Sequence, residues 1–197
     1  MPRILRSQTP PRYYQTYRKY LSFLRIDFDD RCAYSMQHYT RAGGLTAMEI
    51  DHHNCNLPDA VRNNYDNLFL STKHCNGHKL AKPSERDIRL GLRFLNPCIE
   101  DDYGTHIFED PDTFELWGDT PEGRYHIRNL DLNAYHLILE RKTRHAARTE
   151  WEKEGLVTTA DPAADLDGTG VFLSSMKGEI DRMIPPIIQK KKPELPE

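Results

Sequence analysis

The sequence predicts an α+β fold, and three observations predict it. Two short runs of strand texture, residues 46–51 (TAMEID) and 68–71 (LFLS), flank a polar, proline-containing loop and are followed at once by a helical stretch over 74–81. Aromatic and leucine side chains recur at spacings of three and four over 10–28 and again from Leu132, so helices flank this strand–loop–strand–helix unit. Between Pro97 and Leu132 lie short β-like pieces separated by turn clusters, the signature of a small β-containing insert.

Taken in order, Pro10-Pro11 opens the first helix, because proline suits a first turn. Tyr13, Tyr17, Tyr20, Leu21, Leu24 and Phe28 share one face, and Arg12, Arg18, Lys19 and Arg25 the other, as in a helix that caps a core. Residues 31–46 read as loop, punctuated by Gly43-Gly44. Residues 54–64 are polar, carry Pro58 and read as loop. Ser84-Glu85-Arg86-Asp87 fits a capping box before Ile88, Leu92 and Leu95. Residues 105–108, 113–117 and 125–128 read as β pieces, between turns at 109–112 and 121–123. A long helix carries Leu132, Tyr135, Leu139 and Ala146, with Arg141, Lys142, Arg144 and Arg148 on its exposed side and Gly155 as its stop. Residues 157–169 have linker composition, a further amphipathic helix spans 171–184, and the tail QKKKPELPE reads as mobile. The expected organisation is an N-terminal helix (1–30), a ββα core (31–82), an accessory α+β region packed on it (83–156), and a linker, helix and basic tail (157–197).

Composition narrows the class. The chain has 197 residues, 27 Lys+Arg against 30 Asp+Glu, and a net charge of −3. Mean hydropathy is −0.75, and no apolar run approaches the roughly 18 residues a membrane span needs. The first residues lack the apolar stretch of a secretory signal. Cysteines at 32, 55, 75 and 98 are too few and too irregular for a disulfide framework, so a reducing, cytoplasmic setting is expected. The net charge hides a division. Residues 1–93 hold 15 Lys+Arg and 9 Asp+Glu, residues 94–123 hold 9 Asp+Glu and no Lys or Arg, and residues 124–197 balance at 12 and 12. A basic half suited to nucleic acid is joined to an acidic block suited to a partner protein, or to holding the basic half in check.

The chemistry concentrates in the ββα unit. Asp51 and His52 end the first strand, Asn67 leads into the second, and Asn76 lies at the start of the helix. Hairpin geometry brings these positions together. Asp and Asn oxygens are hard ligands suited to Mg²⁺ or Mn²⁺. A neutral imidazole beside them is a general base at neutral pH. Water attack on a phosphodiester needs both functions.

The order Cys32, Asp51-His52, Asn67-Leu68, Cys75-Asn76-Gly77-His78-Lys79 resembles the HNH endonucleases of the ββα-metal class, over about residues 31 to 82. The resemblance implies a metal-dependent enzyme that hydrolyses DNA phosphodiester bonds. His52 would be the general base, and Asp51 and Asn76 the ligands of one Mg²⁺ or Mn²⁺. Asn67 would orient His52 and tie the loop to the hairpin. Lys79 would contact phosphate or a structural carbonyl. His53, His78, Arg141 and Arg144 are further candidates for nucleic-acid contact, and His53 reads first as a packing residue. Many HNH proteins carry zinc on two Cys-x-x-Cys pairs, but here these read Cys32-Ala-Tyr-Ser35 and Thr72-Lys-His-Cys75. A structural zinc is therefore not expected, and both cysteines are expected to pack as small apolar groups. A mixed zinc site with His74 or His38, and a zinc pair of His74 and His78, are weaker alternatives. The chain's start and Arg93–Pro97 also look like stand-alone bacterial HNH proteins, some of which, the Septu-type and retron-associated nucleases, act with an ATPase partner in phage defence. A dimer or a partner could supply a second cut. The alternatives to DNA cleavage are a non-catalytic binding module of the same shape and an RNA-cleaving effector.

Overall fold

The computed structural model describes residues 4, 6, 14–80, 83–154 and 188–193. It is a mixed α+β structure. A 3₁₀ turn, Tyr17–Tyr20, leads into α1, Leu21–Asp27. Then follow a single turn α2 (Tyr39–Ala42), β1 (Met48–His52), a single turn α3 (Asp59–Arg62), β2 (Leu68–Thr72) and α4 (Lys73–Lys79). α5 (Glu85–Arg89), β3 (Ile107–Glu109), β4 (Leu116–Gly118), α6 (Pro121–Asn129) and α7 (Tyr135–Lys153) complete it. Among the described residues, no helix is long and apolar enough to cross a membrane.

β1 and β2 are antiparallel, with Asp51 opposite Phe69 and His52 opposite Leu68. β3 and β4 form a second hairpin. α4 starts directly after β2 because the Thr72 side chain caps it, accepting from Cys75 N–H. One apolar cluster joins the elements. Tyr20, Leu24 and Phe28 meet all-buried β2, then Phe94 and Leu95, the second hairpin, Tyr125, Ile127, Leu130 and Leu137. Arg6 is fastened to this core, donating to Tyr65 O at 2.8 Å and Leu68 O at 2.7 Å.

The loops expected at 31–46 and 54–64 each contain one helical turn, α2 and α3, and three further expectations change. Residues 125–128 belong to α6, not to a strand. Thr120 accepts from Gly123 N–H and Pro121 sits in the first turn, so the expected turn at 121–123 is a helix start. Residues 14–16 are not helical, and α1 covers only Leu21–Asp27, preceded by a 3₁₀ turn without a side-chain cap; the expected start at Pro10-Pro11, with Arg12 and Tyr13, lies outside the described residues. The basic tail, in its described part, is seated on the acidic block. Lys190 N–H donates to Glu109 O at 3.0 Å and Trp117 Nε1 donates to Lys190 O at 2.8 Å. Lys190 and Lys191 also stand 3.3 Å and 3.6 Å from Asp119 and Asp112. The capping box forms as expected at Ser84 and Asp87. The expected linker at 157–169, the helix at 171–184 and the stop at Gly155 lie outside the described residues.

Candidate active site

The hairpin alternation places Glu49 and Asp51 on the face covered by α4. Asn76 Nδ2 donates to Glu49 Oε2 at 2.8 Å, and Lys79 Nζ donates to Asp51 Oδ1 at 3.0 Å. Asp51 Oδ2 accepts from Tyr34 Oη. Lys79 also donates to His52 O at 2.7 Å, closing α4 onto the end of β1. The resulting ion pair is deeply buried, with side chains 1% and 5% exposed.

His52 points to the other side of the strand. Its ring stands edge-on to Tyr17, centroids 4.7 Å apart. Its Nε2 is 2.8 Å from Asn63 Oδ1. An amide oxygen only accepts, so this tautomer carries its proton on Nε2 and keeps the lone pair on Nδ1. The expected orienting partner, Asn67, does something else. Its Oδ1 accepts from Asn54 N–H at 2.8 Å, and its Nδ2 donates to Asn54 O at 3.2 Å and Arg62 O at 2.8 Å. Asn67 ties the loop together, and Asn63 holds His52.

His53 stacks on Phe69 with centroids 4.6 Å apart. Burial, reinforced by the Lys79 charge, lowers its pKa to about 4, so at neutral pH it offers phosphate no charge. The other candidate cations are also withdrawn from solvent. Lys79 serves Asp51. Arg141 is 2% exposed and donates to Phe114 O, Leu132 O and Asn133 Oδ1. Arg144 is 3% exposed, beside Glu140 at 3.7 Å. The α7 face read as exposed is, at these two positions, the face that covers the core. His78 stays half-exposed but is turned to Asp131, 3.6 Å away.

The two degenerate cysteine pairs do converge. Thr72 Oγ1 donates to Cys32 Sγ at 3.7 Å, and the Cys32 thiol shares hydrogen bonds with Cys75 and Ser35. Both cysteines are fully buried. Two thiols and two hydroxyls are a poor zinc set. The imidazoles considered for a mixed site are elsewhere: His74 faces Asp131, and His38 caps α2 through Thr40.

A hard divalent ion on Asp51 and Asn76 meets the right oxygen chemistry but the wrong pairing. Lys79 already neutralises Asp51, and Tyr34 takes its other oxygen. As paired here, the two side chains do not fit such an ion. Sequence reasoning missed Tyr34, Glu49 and Asn63. Tyr34 sits inside the first degenerate pair, and Asn63 in the loop between the strands, so proximity to the motif was their only signal. Comparisons with protein-family models, curated proteins and solved structures found no match.

Proposed function

We propose that the chain is an HNH-type endonuclease that hydrolyses DNA phosphodiester bonds with water activated by His52. The observation that carries this reading is the imidazole at the end of β1, held through Nε2 by Asn63 with its Nδ1 lone pair left to accept a proton. The ββα shape around it and the loop tie by Asn67 support the same reading. His52 takes the proton of the attacking water, and Asn63 keeps the ring in one tautomer. No step is assigned to a divalent ion, because Lys79 already pairs with Asp51, one of the two ligands the resemblance implies.

That same pairing favours a second reading, a non-catalytic nucleic-acid-binding module in which Lys79 replaces the metal. One assay separates them. Supercoiled plasmid, linear DNA and RNA are incubated with the chain and Mg²⁺, Mn²⁺ or EDTA, beside His52→Ala. DNA cleavage lost in His52→Ala supports the enzyme, and its loss in EDTA shows that cleavage needs a bound divalent ion. Cleavage that survives both treatments removes the His52 mechanism. Binding without cleavage, including after addition of a candidate ATPase partner, supports the module.

A further inference from the structure

The outer face of α4 also carries titratable side chains. At about 3.6 residues per turn, Asn76 and Lys79 point to the hairpin, and His74 and His78 point away from it. Across from these imidazoles, the turn before α7 presents Asp131. Among the described residues, these three form the one group whose ligand atoms all lie within 4.8 Å of one another. The Asp131 oxygen is 3.7 Å from His74 Nε2 and 3.6 Å from His78 Nε2.

We propose that His74, His78 and Asp131 form a binding site for a divalent transition ion of the zinc class. Tetrahedral bonds of about 2.0–2.1 Å set ligand–ligand edges of about 3.3 Å. The two observed edges exceed that by only a few tenths of an ångström, within side-chain adjustment. Two imidazoles and one carboxylate suit zinc, cobalt or nickel far better than magnesium. Three protein ligands leave a position for water.

The surroundings hold the ligands in place. His136 stands edge-on to His74, centroids 4.6 Å apart, which fixes the plane of that ring. His74 and His136 also line a cavity of about 440 Å³ with Arg41, Lys73 and Glu140, so the site lies at an open rim accessible to an ion. Asp131 takes a left-handed backbone, φ 49°, and its carboxylate faces α4. His74 Nε2 also lies 3.1 Å from Asp131 O, a hydrogen bond that metal binding replaces. An ion here fastens the outer face of α4 to the α6–α7 turn. The inner face of the same helix carries the Asp51 pair, so the ion would hold that pair in register. The site stands whether or not the chain cuts DNA.

The test is a titration of the metal-stripped full chain with Zn²⁺ against a chromogenic chelator, and with Co²⁺ by absorption. One equivalent should bind, raise the thermal midpoint and resist excess Mg²⁺. His78→Ala and Asp131→Asn should each weaken binding at least tenfold and abolish the thermal shift. His78 is half-exposed, and asparagine tolerates the left-handed backbone, so both variants should keep the wild-type circular dichroism. Unchanged affinity in both variants, or no stoichiometric binding, would overturn the site. A thiolate-to-cobalt charge-transfer band would move the ion to Cys32 and Cys75. Displacement by Mg²⁺ would move it to oxygen ligands.

Discussion

Lys79 and Asp51 form a buried ion pair that bridges α4 to β1, Nζ to Oδ1 at 3.0 Å, with both side chains removed from water. Removing one partner of such a pair leaves an uncompensated buried charge and costs about 3–5 kcal/mol. Lys79→Met and Asp51→Asn should each lower stability by that order in urea unfolding. The double variant should recover much of the loss, because neither charge then remains. If the single losses simply add in the double variant, the two groups do not act as a pair.

The His52 reading predicts a separation of activity from stability. His52→Ala should reduce DNA cleavage by at least about 100-fold, the size of a lost general base. Its thermal midpoint should shift little, since the ring is only half-buried. Asn63→Ala should reduce cleavage less, by releasing the tautomer that Nε2 donation fixes. A variant pair in which Asn63→Ala is the more damaging would make the loop, not the base, the seat of the effect.

The hairpin and α4 were legible because their signals are local. Two short β-like runs, Asn67 before the second and the helical stretch from His74 follow one another directly along the chain. The capping box was legible for the same reason. The pairing of Asp51 was not, because it is made by two side chains, Tyr34 and Lys79, that no periodicity or cap pattern directs to it. Nor was the burial of Arg141 and Arg144. A charged residue on a helix is taken as exposed by default, and only the packing of the Phe114 and Leu132 carbonyls shows otherwise. α6 was readable in principle from Thr120-Pro121, a cap followed by proline in the first turn, but the glycine two positions on suggested a turn.

The burial of Arg141 predicts a structural role, and its variants should show it. Its guanidinium satisfies two carbonyls and Asn133, with Glu109 3.8 Å away, in a setting only 2% exposed. Arg141→Met should destabilise by about 3–5 kcal/mol, as expected for a buried charge pair that loses one member. The slope of DNA affinity against salt should stay unchanged, because a residue that contacts no phosphate releases no counterion. A shallower slope in a still-folded Arg141→Met protein would restore it as a nucleic-acid contact.

Acid should unfold the protein through His126. Its ring is fully buried between Tyr34 and Phe94, and Nδ1 accepts from Leu95 N–H at 3.0 Å. Burial, with help from nearby His53, lowers its pKa to about 3, against about 6.5 in an unfolded chain. Between these values the unfolded state binds the proton and the native state does not, so stability rises with pH. The contribution is complete above about 6.5 and is lost as the pH falls toward 3, at up to about 1.4 kcal/mol per pH unit for this one group. Urea midpoints measured from pH 7.5 down to 4.5 should fall below about 6.5. His126→Gln, which keeps a polar acceptor but does not titrate, should make that part of the profile shallower, leaving the share of His53 with its pKa of about 4, while lowering stability at pH 7.5. An identical profile in wild type and His126→Gln would assign the acid sensitivity to other groups.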